Sequence, residues 1–265
     1  MSGPATAAPG AAAAVGAIAL NTFREAIRDR VLYLLLAFAL LVIGAGRFLG
    51  MLTVGDEAKI VKDLGLSAIS IFGLLTAVFV GVSLVFKEIE KRTVMTLLAH
   101  PVRRWQFVAG KYAGLAAVLL VNTGLMGAVL SLLIVARGDS PAPVAIGIAT
   151  IFVELLVVAS FAVLFSSFTN PILAAVGTVA VYVAGHLSWS FELLKRRLPE
   201  GPARLACDAA RAIVPNLDRL DLKAEAVHAV PIEPARVALA TAYGLAYALA
   251  VLLLACAVFS RRDFE

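Results

Sequence analysis

Six long apolar runs, near residues 31–52, 65–86, 112–136, 144–168, 172–191 and 237–259, restrict this chain more than any other feature. Each has the roughly twenty residues a helix needs to cross bilayer hydrocarbon. Backbone N–H and C=O groups find no water there, so only helices or a closed barrel can satisfy them. The runs lack the short alternating segments of barrel strands. The sequence therefore predicts an all-α membrane protein with six transmembrane helices. Composition agrees: 61% of residues are hydrophobic and only 15% are charged, against about a quarter charged in an ordinary soluble domain. No internal repeat is visible, so an inverted-repeat secondary transporter gains no support.

Outside the runs, residues 1–15 read as a disordered Ala/Gly/Pro tail, and 16–265 as a single transmembrane domain. A signal peptide is the rival for the N-terminus, but no charged leader precedes the weakly apolar stretch. Residues 16–30 form an amphipathic helix pattern. Leu20, Phe23, Ile27 and Val31 recur at helical spacing, while Arg24 and Arg28 fill the other face. Such a helix lies in the membrane interface, unless it simply extends the first span. Segment 192–234 is polar; Leu205, Ala209, Ala212 and Ile213 could face one side of a short outer helix. The formal charge of +5 sits in loops between apolar runs. That placement fits retention at an anionic leaflet better than nucleic-acid binding. Cys207 and Cys256 fall toward opposite membrane faces on this topology, so no intrachain disulfide is expected.

Orientation follows from the loops. The stretch 87–112 carries Lys87, Lys91, Arg92, Arg103, Arg104 and Lys111. Positive loops stay in the cytoplasm, which sets both termini inside. Lys195-Arg-Arg197 argues the other way, but its segment is long and mixed in charge, where the rule weakens.

Motifs for chemistry are few. Gly110-Lys111-Tyr112 lacks the glycine spacing and the Ser or Thr of a phosphate-binding loop. His186 has no second metal ligand at helical spacing. Glu154 is the exception, a carboxylate in mid-span, where charge costs roughly 2.5–3.5 kcal/mol on insertion scales. Two readings stand for it: a substrate-path or gating contact, or a structural bond to Asn122 or His186. His186 itself reads as a hydrogen-bonded helix-packing residue, with a substrate or metal role as the rival. Small residues at four-residue spacing, Gly73-Ala77-Gly81 and Ala240-Gly244-Ala248, mark packing faces or a dimer interface.

The stretch 87–112 is patterned as well as basic. Val94, Leu97 and Leu98 form an apolar stripe, His100-Pro101 breaks the helix, and Trp105, Phe107 and Val108 return toward the membrane. Two short helices under the bilayer are expected; a solvated loop that only sets topology is the plainer reading. The pattern Glu88-Ile-Glu90-Lys-Arg-Thr93, Leu97-Leu98, Pro101-Val-Arg-Arg-Trp105 and Gly110-Lys111 resembles the permease subunits of ABC transporters of the ABC-2 type. It is most similar to the branch serving nitrous-oxide-reductase maturation, gliding motility and pilus assembly. Asn21–Arg30 resembles that branch's N-terminal elbow helix, and Ser166-Ser167, Gly185-His186 and Arg261–Phe264 fit as well. One departure is Arg92, where many relatives have glycine.

The resemblance implies that helix 88–99 is a cytoplasmic coupling helix seated in a separate ATPase. Glu88, Glu90, Lys91 and Arg92 would make its charged contacts, while Thr93, Leu97 and Leu98 would pack. It also implies a second permease, identical or related, and export across the bacterial inner or plasma membrane. The chain would bind membrane lipid but no cofactor, since ATP belongs to the partner, and would catalyse nothing. Rival readings are a proton-coupled secondary transporter using Glu154 and a membrane anchor for an assembly complex.

Overall fold

The computed structural model describes residues 10–51, 57–90, 103–188, 201, 204, 208 and 213–261, with side chains except at 47, 49, 51, 84–90 and 261. Among these residues there is no strand. The helices are α1 (Ala11–Ile27), α2 (Arg30–Met51), α3 (Glu57–Glu90), α4 (Arg104–Val135), α5 (Ala142–Ser166), α6 (Pro171–His186), α7 (Lys223–Val227) and α8 (Pro234–Arg261), with a 3-10 turn at Leu217–Arg219.

Four of the described helices, α3, α4, α5 and α8, are long and apolar enough to cross a membrane. The apolar stretches Arg30–Gly46 of α2 and Pro171–His186 of α6 are shorter. At 1.5 Å per residue, the 16 residues of α6 reach about 24 Å. The chain is thus a multi-pass helical membrane protein.

Several boundaries differ from the hydropathy reading. Helix α1 begins at Ala11, inside the expected tail, because the Ala11–Ala14 run has the highest helix propensity. Helix α3 starts at Glu57, well before residue 65, and continues to Glu90. Helix α4 begins at Arg104, so Trp105, Phe107 and Val108 belong to a long helix rather than to a separate short one. Hydropathy registers only the part matched to hydrocarbon, and charged side chains at a helix end do not stop it. The short helix expected around 205–213 lies mostly outside the described residues, as does the His100-Pro101 break.

Local signals explain several ends. Asn170 caps α6 by accepting from the Leu173 N–H at 2.9 Å, with Pro171 in the first turn. The Arg103 N–H donates to Gln106 Oε1 at 2.8 Å at the start of α4. Gly138, at φ 83°, turns the chain after α4.

Helix α5 is the centre. Apart from Phe152, it is buried continuously from Thr150 to Leu164, against α3, α4, α6, α7 and α8. Lipid is as apolar as leucine, so close packing rather than water expulsion holds such helices. Gly73 of α3 faces Leu155, where an added Cβ would stand 2.4 Å from Cδ1, and Gly244 of α8 faces Val153 at 2.6 Å. Both expected small-residue stripes therefore pack inside this chain. Several buried hydroxyls bond along their own helices, as Thr123 does to the Leu119 carbonyl and Thr178 to that of Ala174.

Charges gather at the two ends of the bundle. At the α7 end, Lys62 pairs with Asp139 at 3.0 Å and Arg236 with Glu225 at 2.9 Å. The segment before α8 is anchored there by buried Leu217, Leu220, Leu222 and Ala226. Tyr243 accepts from the Asn216 N–H at 2.9 Å, and the Tyr247 hydroxyl donates to the Ile213 carbonyl. At the α1 end, Arg104 donates to the Ser260 carbonyl at 3.0 Å, joining the start of α4 to the end of α8.

Candidate functional site

Glu154 lies at the midpoint of α5 with no exposed surface. His186, in the last turn of α6, brings Nε2 to 3.3 Å from Glu154 Oε1. Neither carboxyl oxygen meets the distance and angle of an ordinary hydrogen bond to a described residue. The other ring nitrogen, Nδ1, lies 3.1 Å from the Tyr182 carbonyl oxygen one turn back. The Tyr182 and His186 rings pack at 4.5 Å between centroids.

From there a polar chain leads toward the α7 end. The Tyr182 hydroxyl, which neighbours the Glu154 carboxyl, is 3.0 Å from Ser70 Oγ on α3. Ser70 accepts from Lys223 Nζ at 3.3 Å, and Lys223 lies 3.8 Å from Asp221. Beyond them is an open cleft of about 560 Å³, lined by Lys59, Asp63, Ser67, Asp221, Lys223 and His228 among others. Ser67 and Ser70 share one face of α3, so the cleft and the buried chain adjoin.

Of the two partners considered for Glu154, the structure brings His186 and not Asn122. Asn122 donates through Nδ2 to Thr76 Oγ1 at 2.9 Å, and Thr76 donates to the Phe72 carbonyl. That bond fastens α4 to α3. Tyr182 was legible in principle, standing four residues before His186 on the same helical face. Ser70, Lys223 and Asp221 offered no such signal, because nothing in their spacing relates them to residue 154.

A second region is the α1–α4 contact. Ala14, Thr22 and Ala26 are buried on α1, while Leu20 and Val31 of the expected apolar stripe are 49% and 41% exposed. The protein-facing side of α1 is thus its small-residue side. Gly110 and Gly114 form the groove in α4: a Cβ would stand 2.7 Å from Ile18 on the first and 2.5 Å from Thr22 on the second. Lys111, between them, is 3.8 Å from Glu25. Phe23 is half-buried over an apolar crevice shared with α2 and α4, and Arg24 and Arg28 are exposed. Of the expected ATPase contacts, Glu88 and Glu90 fall in the last turn of α3. Lys91, Arg92, Thr93, Leu97 and Leu98 lie outside the described residues.

Long apolar helices around a central buried helix, with the charged side chains among the described residues gathered toward the bundle ends apart from Glu154 and His186, define a multi-pass membrane protein of the permease type. The chain belongs to the ABC-2 transporter family: the family described as ABC-2 family transporter protein matches residues 16–195, well over half its length. Comparison with curated proteins finds no match. Members of this family are in general non-catalytic membrane subunits that work with an ATPase subunit.

Proposed function

We propose that this chain is the permease subunit of an ATP-driven exporter and that a separate ATPase moves it through the stretch 87–112. The observation that carries this is the family match, which spans that stretch entirely. Helix lengths support it. The 34 residues of α3 and 32 of α4 correspond to about 51 and 48 Å, against roughly 30 Å of hydrocarbon. Both helices are longer than the hydrocarbon is thick, as expected for helices that carry a cytoplasmic connection.

On this reading Glu88, Glu90, Lys91 and Arg92 make charged contacts with the ATPase, and Thr93, Leu97 and Leu98 pack in its cleft. ATP is bound and hydrolysed on that partner. Closure of the ATPase moves this helix, and with it α3 and α4. To drive transport, such closure must stabilise one permease state over another. Residues 16–265 act as one permease domain with six spans, counting α2 and α6. Helix α1 is the elbow, with Phe23 on the protein-facing crevice and the exposed Arg24 and Arg28 at headgroups. Both termini lie in the cytoplasm, and a second permease, identical or related, completes the pathway. The motifs at Asn21–Arg30 and Arg261–Phe264 support the narrower branch of the family.

The test is charge reversal, Glu88→Lys with Glu90→Lys, in a complex purified from the native membrane. Loss of ATPase association, or of transport-linked turnover, is expected. Unchanged binding and turnover would reject the assignment of these residues. A second reading, proton-driven secondary transport, draws on the buried Glu154; it requires flux without ATP.

A further inference from the structure

We propose that Glu154 and His186 together hold one exchangeable proton, and that Tyr182 and Ser70 connect it to the cleft at the α7 end. This is a binding site within the permease, and it stands whether or not an ATPase docks at the opposite end.

The stoichiometry follows from geometry. A carbonyl only accepts, so His186 Nδ1, facing the Tyr182 carbonyl at 3.1 Å, carries a hydrogen in either ring state. The variable position is Nε2, 3.3 Å from Glu154 Oε1. If Nε2 is bare, a neutral ring lies beside the carboxyl group, and the contact carries no net charge only with a proton on the carboxyl. If Nε2 is protonated, imidazolium faces carboxylate. One proton occupies the contact in both arrangements. With none, an anion is left in a fully buried position; with two, a cation. Uncompensated charge is expensive there, so occupancy changes only when pH forces it.

The surroundings are sparse in charge. Lys223, Asp221 and Asp218 act on Glu154 from the α7 side, and Tyr182 from α6. Nearby, α3 presents the Ser70 hydroxyl and α4 the Tyr112 hydroxyl, which donates to the Leu156 carbonyl at 3.1 Å. The Lys and Arg residues of α4 and α8, namely Arg104, Lys111, Arg236 and Arg261, stand near helix ends. His186 is thus the ionisable group within ion-pair distance of the carboxyl among the described residues.

Access is through hydroxyls, which both donate and accept. A proton leaving the pair passes to the Tyr182 oxygen as that hydroxyl releases its own proton to Ser70, 3.0 Å away. Ser70 in turn releases its proton to water in the cleft. One proton moves outward, and rotation of the two hydroxyls restores the chain. Lys223, 3.3 Å from Ser70, stands where the chain meets the cleft.

The experiment uses the full chain in lipid nanodiscs and infrared difference spectra across a pH series. The wild type should show a carboxyl band that titrates across the series, and Glu154→Gln should remove it. His186→Gln keeps the carboxyl but should shift the midpoint by about one pH unit or more, as expected for loss of a charge partner within about 4–6 Å. After a pH jump, Ser70→Ala and Tyr182→Phe should reach the same end point severalfold more slowly. Absence of any Glu154-dependent band, or an unmoved midpoint in His186→Gln, would overturn the shared proton. Wild-type rates in both hydroxyl variants would overturn the route. Size-exclusion profiles check that each variant is folded, and the His186 variant tests the pair if Glu154→Gln does not assemble.

Discussion

Substituting alanine at Gly114 should separate α1 from α4, and the structure sets the size of the effect. The new Cβ would stand 2.5 Å from Thr22 Cβ and 2.7 Å from the Ala19 carbonyl oxygen, where ordinary contact begins at 3.4 Å. Helix α1 must retreat by about 0.9 Å (3.4 less 2.5), because backbone cannot rotate away as a side chain can. Overpacking of this kind costs about 1–3 kcal/mol. Alanine also gains up to about 1 kcal/mol over glycine in helix propensity, which would mask part of the loss. Gly124 supplies the control. It lies on the same helix, and a Cβ there meets nothing within 4 Å. Gly124→Ala carries the same propensity gain without the clash, so the difference between the two variants isolates the packing cost. In equilibrium unfolding of the detergent-solubilised protein, Gly114→Ala should be less stable than Gly124→Ala by about 1–3 kcal/mol. Equal stability would refute the close seating of α1 in the Gly110–Gly114 groove.

Two further outcomes are expected. A double-mutant cycle of Asn122→Ala and Thr76→Val should give a coupling of about 0.6 kcal/mol, and at most about 1.7 kcal/mol, as found for hydrogen bonds between membrane helices; zero coupling would remove this bond as a fastener of α3 to α4. Tyr243→Phe combined with Tyr247→Phe deletes both hydroxyl contacts to the segment before α8, each worth about 1 kcal/mol. Limited trypsin digestion at Arg219 should then speed up, and an unchanged cleavage rate would mean that the buried leucines alone hold the segment.

The amino-acid sequence carried much of the architecture, because the bilayer imposes a one-dimensional rule: apolar residues in a row, with their backbone bonded internally. That rule located α3, α4, α5 and α8 and marked Glu154 as the acid within a span. Turn chemistry at Asn170-Pro171 was equally legible. Helix ends were not, since Lys59, Lys62 and Trp105 can ride on helical turns beyond the hydrocarbon. The Gly110–Gly114 groove was visible as a spacing, but only contact with α1 gives it a meaning.

The polar site divides in the same way. Burial of a carboxylate in mid-span follows from position alone, since α5 is apolar all round. Its partners do not, because helix rotation and the path of the segment before α8 decide which side chains meet. Rotation set Asn122 toward Thr76 and His186 toward Glu154. Folding of residues 217–227 onto α3 and α5 brought Lys223 to Ser70, 153 positions away in the chain. Sequence alone thus determined that this protein lives in a membrane and crosses it repeatedly, through a hydropathy pattern that any solvent of low dielectric would read. Only tertiary packing decided which polar groups share its interior, because contacts between helices depend on their rotation and depth, and these leave no periodic trace along the chain.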